Sequence, residues 1–278
     1  MEVFLLFLNV WQEFYWDFEQ IFLSLPVHGE NWVGGSDMPF KHPKIYFPDL
    51  PHEGEISITD DNYYHLARSL RARQGDLIRL FNGNGLFASA RIESIDRYEV
   101  KARITELIEV DNTSPIKVTL AFGILPPNPL SILLAGTTQL GVVAYRPFKS
   151  EFNDFKIPPT RVNRLVERWE KIIVENCGIA GRSHMPIISS FHELAECVSD
   201  AQSFDYRFTF WEEGGKPLGE FLPIKRGRAL VVIGPKGGLH ESEIEYLKAR
   251  DFEICSLGDL ILKAEIAAIA ACARIIGV

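Results

Sequence analysis

Two stretches of nearly bare backbone lie close together toward the end of the chain. Val231-Val232-Ile233 runs into Gly234-Pro235-Lys236-Gly237-Gly238, and Ser256-Leu257-Gly258 leads into Ile261-Leu262. Loops without side chains present their amides and carbonyls freely, and such a surface can hold an adenine or a ribose by main-chain hydrogen bonds. Apolar neighbours such as Leu257, Ile261 and Leu262 can clamp an aromatic base, so the pair makes a sensible nucleoside pocket. Neither loop is a phosphate-binding P-loop, since no Gly-Lys-Ser/Thr follows, and neither is a GxGxxG dinucleotide fingerprint. Read alone, both also fit ordinary strand-to-helix turns, which use Gly and Pro for backbone reasons.

The elements that position these loops have the rhythm of an α/β protein. Strands are expected at 117–122, 142–145, 208–211, 229–233 and 253–256, and helices at 130–140, 160–177, 241–250 and 265–276. Strands alternating with helices imply a mostly parallel sheet covered on both faces. Ligands of such sheets sit beyond the carboxyl ends of the strands, where both glycine loops fall. Upstream, 45–47, 55–58, 77–81, 87–92 and 100–104 read as short strands of a small β-barrel, with one helix at 61–73. Asn82-Gly83-Asn84-Gly85 between two of them is a hairpin signal. Arg68 and Arg71, three apart on that helix, could grip phosphates or could line a solvated face. Asp111-Asn112-Thr113-Ser114-Pro115 reads as the linker, giving an extension over 1–42, a barrel over 43–112 and an α/β domain over 113–278.

Composition narrows the class. The 278 residues are 46% hydrophobic and 24% charged, an ordinary globular make-up. The net charge of −8 is concentrated at the start. Residues 1–40 carry six acids and no Lys or Arg, leaving 31 acids against 29 bases in the rest, a net of −2. That balance permits a local basic patch without a general attraction to phosphate. Cys177, Cys197, Cys255 and Cys272 are far apart in apolar or helical contexts and read as buried, reduced thiols. No metal site is suggested and a cytoplasmic protein is expected. The aromatic-rich residues 1–37 lack a basic n-region, and polar residues interrupt their apolar run, so no membrane association is expected. Met38 reads as an alternative initiator.

The order Ile-Gly-Pro-x-Gly-Gly, Glu-x-Glu, Ser-Leu-Gly, Ile-Leu-Lys-x-Glu closely resembles the end of the bacterial small-subunit (16S) rRNA (uracil-N3)-methyltransferases of the SPOUT class. Thr138-Gln139-Leu140-Gly141-Val142, Arg168-Trp169, Gly181-Arg182 and Pro186 extend the likeness upstream. So do His65-Leu66, Leu70-Arg71 and Gly75-Asp76 in the barrel. The resemblance implies an α/β fold: a C-terminal SPOUT-type domain with a trefoil knot, preceded by a small PUA-like β-barrel for RNA. It implies a homodimer that uses S-adenosylmethionine, and no metal, to methylate rRNA or an assembled small ribosomal subunit. By that carry-over, Ile233, Gly234, Pro235, Gly237, Gly238, Leu257, Gly258, Ile261 and Leu262 contact the donor, and Arg182 joins Arg68 and Arg71 at the RNA.

Methyl transfer to N3 of uracil needs alignment of the reacting atoms and a way to remove or accommodate the imide proton. Glu265 and Lys263 are the candidates for that task. A carboxylate stabilised by a helix N-terminus is the alternative for Glu265, and a solvated side chain for Lys263. Several polar positions depart from the family's pattern. Lys236 stands in place of an acid, Leu260 in place of an arginine, and Phe152 in place of another. A guanidinium lost from a phosphate contact removes about 1.5–3 kcal/mol, so a divergent, catalytically weak or inactive RNA- or ribosome-binding dimer is the alternative expectation.

Overall fold

The computed structural model describes residues 43–152 and 161–278. The expectations for 1–42 and for the start of the 160–177 helix at Thr160 lie outside the described residues. The described residues begin with β1 (Lys44–Tyr46), β2 (Glu55–Ile58), α1 (Asp60–Tyr64), β3 (Leu77–Phe81), β4 (Leu86–Ile95) and β5 (Val100–Glu109). These strands make one five-stranded sheet in the order β1-β3-β4-β5-β2, antiparallel except where β1 runs alongside β3. Alternate residues, among them Ile56, Ile58, Ile78, Leu80, Ala88, Ala90 and Ile92, turn into a core closed by Tyr63 and Leu66. Period-2 alternation against one packed face produces this pattern.

The hairpin forms at Asn82–Gly85, with positive φ carried by Gly83 (+71°) and Gly85 (+89°). Asn82 Oδ1 accepts from the backbone N–H of Asn84 at 2.8 Å and of Leu86 at 3.1 Å, which fixes the turn. The helix expected over 61–73 takes a different form. After α1 the backbone widens into a π-helical turn over His65–Ser69, and Arg71 ends it in the left-handed region at φ +53°. Leu66, wholly buried, anchors the widened turn, and the Ala72 N–H closes it onto the Leu66 carbonyl at 3.0 Å. Arg68 and Arg71 are both exposed. With Arg71 outside the helix, they do not share a helical face.

The second sheet contains β6 (Ile116–Gly123), β7 (Ala144–Lys149), β8 (Ile187–Ile188), β9 (His192–Glu193), β10 (Tyr206–Phe210), β11 (Lys216–Pro217), β12 (Gly227–Ile233) and β13 (Glu253–Ser256). Its order is β11-β13-β10-β12-β6-β7-β8, with β9 also on β7, and every pairing is parallel. The helices are α2 (Pro127–Leu140), α3 (Val162–Ala180), α4 (Leu194–Cys197), α5 (Glu241–Lys248) and α6 (Ala264–Ile276). Strand β12 shows why its sequence is a continuous apolar run. Ala229, Val231 and Ile233 face the core under α2, α3 and α6, while Leu230 and Val232 face the core under α4 and α5.

The two sheets are latched together. Phe81 and Phe87 of the first sheet belong to the larger core of the second. At the hairpin tip, Gly85 N–H donates to Ser183 O at 2.8 Å and Met185 N–H to Gly83 O at 2.9 Å. Asn112 Nδ2 donates to Gly181 O at 2.8 Å, so the linker is tied to the same segment. Tyr145, wholly buried, shares its hydroxyl with Thr137 (2.9 Å) and Thr138 (2.8 Å), and burial pushes its phenol well above the ordinary range. No helix among the described residues is long and apolar enough to cross a membrane.

Candidate functional site

Three parallel strands, β13, β10 and β12, end side by side, and the loops that leave them surround one cleft. From β12 come Ile233, Gly234, Pro235, Lys236 and Gly238. From β13 come Leu257, Gly258, Ile261 and Leu262. From β10, lying between them, come Phe210, Trp211 and Glu212. The location follows the general rule for parallel sheets, whose ligand crevices open beyond the strand carboxyl ends. The cleft measures about 160 Å³. That is below the roughly 300–1,000 Å³ of sites that enclose a ligand, so a nucleoside-sized molecule would be only partly covered.

Glycine is required here by geometry. A Cβ on Gly234 would stand 2.9 Å from the carbonyl carbon of Gly238 and 3.0 Å from the backbone nitrogen of Leu239, so the loop folds back on itself through bare backbone. Gly238 adopts φ +80°, with Glu212 Oε1 against it. Behind the loop, a methyl group on Gly123 at the end of β6 would collide with the backbone nitrogen of Pro235. In the second loop, Ser256 Oγ accepts from Gly258 N–H at 3.1 Å, setting the turn in which Gly258 takes φ +134°. This cradle of backbone bare of side chains, walled by Leu257, Ile261 and Leu262, suits a nucleoside-bearing cofactor.

The first loop is braced from α5. Glu243 Oε2 accepts from Ser150 Oγ at 2.8 Å and from His240 N–H at 2.9 Å, while Oε1 accepts from Glu151 N–H at 3.3 Å. His240 in turn caps α5 through Ser242 N–H. The segment after β7 is thereby held against the glycine loop, and Gly237 packs on Phe152.

Of the residues singled out from sequence, Ile233, Gly234, Pro235, Gly238, Leu257, Gly258, Ile261 and Leu262 share the cleft, and Gly237 faces Phe152 instead. Lys263 is exposed at the N-cap of α6. Glu265, in the first turn of α6, is 8% exposed and has no ion pair or side-chain hydrogen bond among the described residues. Both flank Ala264, which lines the cleft, but neither lines it. Arg182, read as an RNA contact, is also 8% exposed. Its Nη1 donates to Thr138 O at 2.8 Å and Val142 O at 2.7 Å, so the guanidinium points into the fold. Sequence reading missed Phe210, Trp211 and Glu212, which carry no local signal and reach the cleft through β10's pairing with β12 and β13. Glu243 entered only as the second acid of the Glu-x-Glu motif; its bracing role was missed, though its place three residues after His240 in a capping box is a local clue. Among the described residues no group of His, Cys, Asp and Glu could hold a metal ion.

Known proteins share this architecture. A Bacillus subtilis protein named ribosomal RNA small subunit methyltransferase E is 29% identical over 219 residues, covering 76% of this chain and 86% of that one. The crystal structure of a Neisseria gonorrhoeae ribosomal RNA small subunit methyltransferase E, bound to S-adenosyl methionine, superposes with a TM-score of 0.76 at 27% identity. It covers 84% of this chain and 95% of its own. A Legionella pneumophila methyltransferase in complex with the same cofactor gives 0.80 at 26% identity, over 84% and 96% of the two chains. An RNA methyltransferase PUA domain matches residues 58–105. The RNA methyltransferase domain matches residues 112–276, well over half the sequence, and the chain belongs to that family.

Proposed function

We propose that the chain transfers the methyl group of S-adenosylmethionine to N3 of a uridine in small-subunit ribosomal RNA, acting as a homodimer in the cytoplasm. The observation that carries this reading is the convergence of two glycine loops on one cleft at the ends of β12 and β13. Support comes from relatives that bear the name and from a relative solved with the donor. We divide the chain into an extension over 1–42, an RNA-gripping PUA-like module over 43–112 and a knotted methyltransferase domain over 113–278. Arg68 and Arg71, exposed on the first module, are assigned to phosphate contacts.

When bound, the donor supplies an activated methyl group on a positively charged sulfur. The residues Gly234, Gly238 and Gly258 put no side chain between it and the backbone of the two loops, and Leu257 and Leu262 wall its base. The target N3 must shed its proton as the new bond forms. We assign that proton to Glu265 and stabilisation of the anionic ring to Lys263, on either side of Ala264. Leu260 and Ile261, 81% and 87% exposed at the cleft, are apolar side chains that a second copy would cover.

The test is methyl transfer from labelled donor to small ribosomal subunits lacking the modification, with the product nucleoside identified by mass spectrometry. Appearance of 3-methyluridine supports the reading. The exposed apolar Leu260, standing where the family pattern has an arginine, favours one second reading: an RNA- or ribosome-binding dimer without catalysis. Calorimetry that finds a folded dimer indifferent to the donor, together with no transfer, would select it.

A further inference from the structure

The outer face of α3 carries a basic stripe that the cleft leaves unused. Arg161, at the N-cap, is followed by Arg164, Arg168 and Lys171 at spacings of three, four and three residues. At 3.6 residues per turn these positions share one face, over about 15 Å of helix axis. All four side chains are exposed, while Leu165, Trp169, Ile172 and Ile173 turn the adjoining face into the core. Among the described residues Arg161, Arg164 and Arg168 have no ion pair and no hydrogen bond. Glu167 and Glu170 lie farther round the helix, and Glu167 acts on Lys171. Like charges three and four apart destabilise a helix, and the first turn of α3 holds no acid to offset them. Helix stability therefore does not account for the stripe, whereas an anionic partner lying along it does.

The stripe is continuous with the first sheet's module. Lys171 Nζ donates to Asp61 Oδ2 at 2.8 Å, which joins α3 to α1. Three residues on, along the same side of α1, Tyr64 is 52% exposed. Its ring packs against buried Tyr63 at 72°, with centroids 5.3 Å apart, and Asn62 anchors the helix on the Tyr46 carbonyl at 3.0 Å. In the other direction, Arg168 borders a small hollow with Leu125 and Pro127, which follow β6. Gly123, the last residue of β6, abuts Pro235 of the first glycine loop. The cations thus run from an open aromatic ring on the first module toward the cleft side of the second. Single-stranded nucleic acids are held by this pairing of a positive track with an aromatic platform, and the ring favours them over an acidic peptide.

We propose that this face is a track for single-stranded RNA: Arg161, Arg164 and Arg168 bind phosphates of the strand, and Tyr64 stacks one of its bases. The track deepens the proposed function and rests on it for the identity of the RNA. The test measures binding of the full chain to protein-free small-subunit rRNA over a range of salt concentrations. Each phosphate contact of a single strand contributes about 0.7 to the slope of log affinity against log salt. Replacing all three arginines by Gln should flatten the slope by about 2 and weaken binding at least tenfold at low salt. Tyr64→Ala should weaken binding about tenfold with the slope unchanged, and Tyr64→Phe should bind like the parent. Melting temperatures show which variants are folded. If loss of Arg168 beside Trp169 prevents folding, Arg161→Gln with Arg164→Gln should still flatten the slope by about 1.4. Methyl transfer by the parent chain is scored separately: its absence alongside stripe-dependent binding counts against the enzyme reading and leaves the track standing. No binding of the parent to protein-free rRNA, or an unchanged slope in the folded arginine variant, overturns the track whether or not transfer occurs.

Discussion

Glu243 accepts a 2.8 Å hydrogen bond from Ser150, 93 residues earlier in the chain. Through the same carboxylate it also holds the backbone of His240 and Glu151. One side chain thus joins the helix after the first glycine loop to the segment after β7. Glu243→Ala leaves three donors without their acceptor, an expected loss of about 1–3 kcal/mol for each buried group so orphaned. Thermal unfolding should show the drop, and donor calorimetry should show at least tenfold weaker binding. Glu243→Gln, which keeps the shape, should retain most of both.

The two cleft glycines should fail differently when given a methyl group. In Gly234→Ala the new carbon meets backbone at 2.9 Å, so the loop itself must shift, and donor binding should disappear even if the protein stays folded. In Gly258→Ala nothing stands within 4 Å, and only the φ of +134° is penalised. Such backbone strain costs about 1–3 kcal/mol. Donor affinity measured alongside melting temperature separates the cases, and equal behaviour of the two variants would contradict the cradle described here.

All four cysteines are buried thiols. Burial pushes Cys177 up to about 11 and Cys197, Cys255 and Cys272 up to about 12, from an ordinary 9.0. A folded-state value raised above the unfolded one contributes stability that is complete below about pH 9. It is lost as the pH climbs through 9 to 12, because only the unfolded chain then ionises. Denaturant midpoints should therefore fall across that alkaline window. At pH 8 a thiol-specific reagent should leave the native protein nearly untouched and label all four residues after unfolding.

Arg146 grips Asp200 with both nitrogens, at 2.6 and 2.9 Å, and this hydrogen bonding holds the Asp200 carboxyl below its ordinary 3.8. A depressed carboxylate contributes stability present above its unfolded value and lost as the pH falls through the folded one. The Asp200 side chain is 45% exposed, so solvent screening limits the pair to about 1 kcal/mol or less. Asp200→Asn should lower the melting temperature slightly at pH 7, and the difference should start to shrink below about pH 4 and vanish once the pH has fallen through the lower, folded-state value.

Much of the fold could be read in advance because its signals are local. The 55–58, 77–81 and 253–256 strands carry apolar residues bounded by turns, and the structure places β2, β3 and β13 there. The two-residue strands β8, β9 and β11 could not be read, since they exist only through their partners β7 and β13. The π-helical turn was hidden for a related reason. Burial of Leu66, not local propensity, sets the path on which Arg68 and Arg71 diverge. In the cleft the glycine loops announced themselves, whereas Trp211 and Glu212 are delivered by a strand far away in sequence. Arg182 was misjudged because its partners, the Thr138 and Val142 carbonyls, lie 44 and 40 residues upstream.

The clasp between the Gly83–Gly85 hairpin tip and Ser183–Met185 has a consequence for choosing a target. Backbone bonds at 2.8 and 2.9 Å, with Phe81 and Phe87 wedged into the neighbouring core, leave little play between the two sheets. A strand gripped on the first would reach the cleft of the second at one set distance. The protein would then act as a ruler, picking its nucleotide by how far it lies from the point of grip as much as by the identity of the base.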